Sequence, residues 1–116
     1  MRIEADIFSG RPNPSFDLNA EQSAALIALL QSLHTGGEPR EPPGLGYRGF
    51  LIGDAEAVLP GITRLRAFGG TVVSTSEQAR VLSDPSRTVE QWLLQAGCRH
   101  LESGVFNVIC AEFGRQ

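Results

Sequence analysis

Six side chains combine binding or catalytic chemistry with placements that set them apart: Arg11 and Asn13 in "FSGRPNPSF", Tyr47 and Arg48 in "GLGYRGF", and the histidines His34 and His100. Pro12 and Pro14 fix their own φ and push the residues before them towards extended backbone, so Arg11 and Asn13 are held out of helix on a stiff turn. An arginine so held gives charge-assisted hydrogen bonds to a carboxylate or phosphate, and Asn and Tyr fix a ligand's orientation. His34 and His100 are the candidates for acid–base catalysis. Each residue also has a plain structural reading. "GRPNP" is a rigid hairpin turn with Asn as a turn residue. Tyr47 and Arg48 open a strand, with the Arg stem lying along apolar surface. The histidines favour the C-terminal ends of their helices.

Much chemistry is excluded. All ten Lys+Arg residues are Arg, which removes Schiff-base lysines and the phosphate-binding lysine of a P-loop. "GLGYRG" has the G-x-G-x-x-G spacing at Gly44, Gly46 and Gly49. A proline-rich stretch precedes it and a strand pattern follows, where a dinucleotide site needs strand, turn and helix. Cys98 and Cys110 form no CxxC, and two histidines make no ligand cluster, so no metal and no cofactor are expected. A net charge of −3 argues against nucleic acid as partner. "MRIEADIFSG" lacks an apolar leader pattern and no apolar run is long enough for a membrane span; the expectation is a cytoplasmic protein with no membrane partner.

The length of 116 residues fits one domain over 1–116. "RIEADIFS" alternates, with Ile3, Ala5 and Ile7 on one face and Arg2, Glu4, Asp6 and Phe8 on the other. "SFDL" reads as the return strand. Asn19 and Gln22 have capping-box spacing, and Leu26, Ile27, Leu30 and Leu33 continue a helix to about His34. "TGGEPREPPGLG", residues 35–46, holds four glycines and three prolines and reads as a flexible loop. "YRGFLIGD" and "ITRLRAF" read as strands, and Gly69-Gly70 before "TVVS" as a hairpin turn. Thr75 and Gln78 suggest a short helix through "EQARVLS". Asp84-Pro85 reads as an N-cap and first helical residue, before the apolar stripe Val89, Trp92, Leu93 and Ala96. Over 104–113 helix and strand patterns compete, and Ser103 as a cap favours helix.

The fold expected is α+β: a small two-layer sandwich, its mostly antiparallel sheet covered by helices on one face. Cross-strand pairing accounts for Glu4, Asp6, Arg64 and Arg66 without function. Tracing the chain up and down brings the GRPNP turn, His34, the 35–46 loop, Tyr47, Arg48 and His100 to one end. The function expected is a small binding domain, its pocket for a polar or anionic small ligand or peptide segment built by Arg11, Asn13, Tyr47 and Arg48. The alternatives are a cofactor-independent enzyme using His34 or His100 with Arg charge stabilisation, and an oligomerising accessory protein. A homodimer is compatible with each.

Overall fold

Alternation at the start of the chain becomes β1 (Arg2–Ala5), with Ile3 and Ala5 fully buried. The computed structural model describes residues 1–8, 10, 12–39, 41–42, 44, 46–53, 64–74 and 80–113. The chain returns in β2 (Ser15–Asp17), antiparallel to β1 with Ile3 opposite Phe16. Asn19 then caps α1 (Ala20–Gln31): its side chain accepts from the Gln22 N–H at 2.8 Å, and Gln22 Oε1 accepts from the Asn19 N–H at 3.1 Å. This is the reciprocal box that the spacing predicts.

The helix stops three residues short of His34. Ser32 closes it, its hydroxyl donating to the Leu29 carbonyl, and His34–Thr35 form the short edge strand β3. His34 is therefore no helix-end residue; it sits opposite Ser83. The remaining strands are β4 (Phe50–Gly53), β5 (Arg64–Phe68), β6 (Thr71–Ser74) and β7 (Val81–Ser83). β7 corrects the reading of "EQARVLS" as helix. Leu82 is buried opposite Val72, and that pairing outweighs local helix propensity. Residues 75–79, the proposed start of that helix, lie outside the described residues, as does "EAVLPG".

Among the described residues the seven strands form one wholly antiparallel sheet, in the order β2-β1-β4-β5-β6-β7-β3. The register carries Ile3, Ile52 and Leu65 along one row, and Ala5, Phe50, Ala67, Val72 and Leu82 along the next. These side chains make one apolar face. Against it pack Leu26 and Leu30 of α1, Val89 and Leu93 of α2 (Thr88–Ala96), and Val105 and Ile109 of α3 (Ser103–Phe113). The two-layer α+β architecture follows, and 103–113 is helix.

Asp84 caps α2, but from further back than expected. Its carboxylate accepts from the N–H groups of Thr88 (3.1 Å) and Val89 (2.9 Å), while Pro85 lies in the turn before the helix. Arg87 occupies the N-cap position with φ 55°, a left-handed conformation unusual for a residue with a Cβ.

The chain changes sheet edge twice. α1 spans from β2 at one edge to β3 at the other, and the segment after β3 returns to insert β4 between β1 and β5. That return crosses the face away from the helices. A Cβ at Gly37 would touch the Thr71 and Ser83 side chains, and Pro39 and Pro42 line a cleft with Arg66 and Val73. The described residues of 36–46 thus form a strap over the second face of the sheet.

Candidate functional site

Asp6 is the hub of that second face. It follows β1 directly, its N–H donates to the Gly49 carbonyl, and its carboxylate is nearly buried. Arg48 Nη2 and Nε donate to Oδ1 at 2.8 and 3.2 Å, and Arg66 Nη1 donates to Oδ2 at 2.7 Å. Burial pushes the Asp6 carboxyl up, but the hydrogen bonds and charges of Arg66 and Arg48 outweigh it and hold the group below its ordinary value. The Arg66–Asp6 pair is a cross-sheet pairing of the kind expected for these residues.

Asn13 is bound into the same network. Its Oδ1 accepts from the N–H groups of Ile7 (3.0 Å) and Phe8 (2.7 Å), and its Nδ2 donates to Glu4 and Asp6, both at 3.2 Å. All four hydrogen-bonding positions of the amide are taken. Arg48 has almost as little bonding capacity to spare. Besides Asp6, its Nη2 donates to the Phe8 carbonyl at 2.8 Å and its Nη1 to the Gly44 carbonyl at 2.9 Å, which ties the strap to the sheet. Arg11 lies outside the described residues.

Tyr47 goes the other way, as alternate residues of extended chain do. It is 3% exposed and packs among Phe50, Phe68 and Phe113. Its hydroxyl donates to Glu90 Oε1 at 2.7 Å, and Arg87 grips the same carboxylate through Nη2 (2.8 Å) and Nε (2.9 Å). Burial, then the Glu90 charge and hydrogen bond, drive the phenol far above its usual range; it stays protonated. The Glu90 hydrogen bond raises Arg87 in turn, and its guanidinium lies 4.8 Å from the Phe113 ring centre. This buried triad holds β4, α2 and α3 together. Only its Tyr47 stands out in the sequence; an Arg and a Glu three apart are too common to mark a buried pair.

The histidines are not brought together. His34 lies on edge strand β3, while His100 stacks on Phe16 of the opposite edge strand β2, with ring centres 5.4 Å apart and planes 5° apart. His100 and Asn13 do line one open cleft of about 240 Å³, together with Phe8, Pro14 and Val105.

Arg66 differs from the other network members. Its Nη1 is fixed by Asp6 and by the Arg48 carbonyl (2.7 Å), while its Nε–Nη2 edge makes no hydrogen bond to a described residue. Arg66 lines a cleft of about 280 Å³ beneath the strap, with Pro39, Pro42, Phe68 and Val73 as apolar walls and Glu41 at its side. Sequence spacing points to charge pairing alone for Arg66; the strap's path over it is the signal that local pattern lacks. Among the described residues no group of three or more His, Cys, Asp or Glu is placed to hold a metal ion, and no helix is long and apolar enough to cross a membrane. "GLGYRG" runs into β4, not a helix, and Gly49 is required for another reason: at φ 99° its Cα faces the Ala67 carbonyl of β5, where a Cβ would collide. Comparison with known protein families, curated proteins and solved structures finds no match for this chain.

Proposed function

We propose that this protein is a small-ligand binding domain whose cleft under the strap takes a carboxylate carried on an apolar group. One observation carries the reading: a guanidinium held rigidly by two of its bonds keeps a two-donor edge without a described protein partner, at an apolar cleft. That edge matches the two oxygens of a carboxylate. Asp6, Arg48 and Asn13 serve as the support that orients Arg66, and Phe68, Val73 and the prolines receive the apolar part. The cleft volume sits just under the usual range for small-molecule pockets, about 300–1,000 Å³, which favours a small acid over a peptide segment.

The test is a thermal-shift titration with 4-methylpentanoate and 3-phenylpropanoate, with acetate as control, on wild type and Arg66→Lys. Lysine keeps a charge near Asp6 but loses the planar fork. Wild type should shift upward with the two larger acids, by several degrees at a hundredfold excess over Kd. Arg66→Lys should stay folded and lose the shift. Equal shifts in both proteins, or none in wild type, would place the function elsewhere.

A further inference from the structure

We infer that the ligand of the strap cleft is a zwitterion, a free α-amino acid with an apolar side chain. The inference rests on the carboxylate reading above and goes beyond it through Glu41. Arg66 belongs to the sheet and Glu41 to the strap, and both line the same small cleft. Opposite charges on one cleft can pair, yet no ion pair joins these two, and Glu41 makes no hydrogen bond or ion pair with any described residue. A simple anion in this cleft would meet Arg66 favourably and Glu41 unfavourably. An amino acid satisfies both: its carboxylate takes the Nε–Nη2 edge, and its ammonium takes Glu41. The remaining walls are apolar apart from Thr71, whose hydroxyl donates to the Phe68 carbonyl, so the side chain belongs against Phe68 and Val73. The volume, about 280 Å³, suits a single amino acid.

The experiment is calorimetric titration of the intact chain with matched pairs: L-leucine against 4-methylpentanoate, and L-phenylalanine against 3-phenylpropanoate. The acids lack only the amino group. In wild type at least one amino acid should bind about tenfold tighter than its acid, the value of one charge-assisted hydrogen bond. Glu41→Gln should abolish that preference while the acid binds as well as before or better. Glu41 is exposed and has no described partner, so the variant folds. Arg66→Lys should weaken amino acid and acid alike. If the acids bind wild type as tightly as the amino acids, or Glu41→Gln keeps the preference, the zwitterion is overturned and the carboxylate reading stands. If neither member of either pair binds wild type, both fall.

Discussion

Two arginines share one carboxylate at Asp6, and its charge state decides whether they are neutralised. Removing that charge by Asp6→Asn leaves two guanidinium groups facing each other. The expected loss at pH 7 is about 2–4 kcal/mol, somewhat below the figure for fully buried pairs because the Arg66 side chain is 28% exposed. The pH dependence has a definite sign. Asp6 titrates below its ordinary value in the native state, so its contribution is complete above about pH 4 and disappears as pH falls through the lowered native value. Urea unfolding at pH 7, 5 and 3 should show wild type and Asp6→Asn converging only at the acid end. A constant gap would mean that the carboxylate acts through shape alone. At this scale the sequence is partly readable: Glu4, Asp6, Arg64 and Arg66 are visible as charges that pair across strands, but not that Asp6 reaches Arg66 past the intervening β4. That Arg48 joins them depends on β4 entering beside β1, which no local pattern announces, whereas Asn13 joins through the β1–β2 turn itself.

Between elements the important joint is Tyr47–Glu90–Arg87. It links the approach to β4 with the first turn of α2, and Phe113 brings the end of α3 onto Arg87. Its members are unequal. Tyr47→Phe removes one hydrogen bond and should cost about 0.5–3 kcal/mol. Glu90→Gln leaves the nearly buried Arg87 charge without its counter-ion and should cost about 3–5 kcal/mol. Chemical denaturation of the two variants checks the ranking; a larger loss in Tyr47→Phe would reverse it. Elements with strong local signals are legible: alternation marks β1, the reciprocal cap marks α1, and Gly69-Gly70 marks the β5–β6 turn. Elements defined by distant partners are not. β7 is three residues long and exists because β6 and β3 flank it, and β3 is two residues held by Ser83 and Leu82. Asp84 carries a true capping signal, displaced by an extra turn through Pro85 and left-handed Arg87.

For the molecule as a whole, strand order sets a gradient of protection. β4 and β5 are interior, paired on both sides over four residues to each other, whereas β2 and β3 are short edges. Amide exchange should be slowest at Ile52 and Leu65 and fastest, among strand residues, at Thr35 and Asp17. Faster exchange in β4 than in β2 would contradict the topology. The insertion of β4 between β1 and β5 also bears on how the chain is made. Synthesis delivers β1, β2 and α1 first, and β1 then has a partner on one side only. At about 5–20 residues per second, its other side stays open on the order of seconds until residues 50–53 leave the ribosome. An open strand edge is a template for any neighbouring chain. Crowded polysomes therefore expose this protein to cross-pairing between nascent copies. Slow codons across the strap would lengthen that exposure, and prompt binding of a chaperone to the β1–β2 hairpin would shorten it.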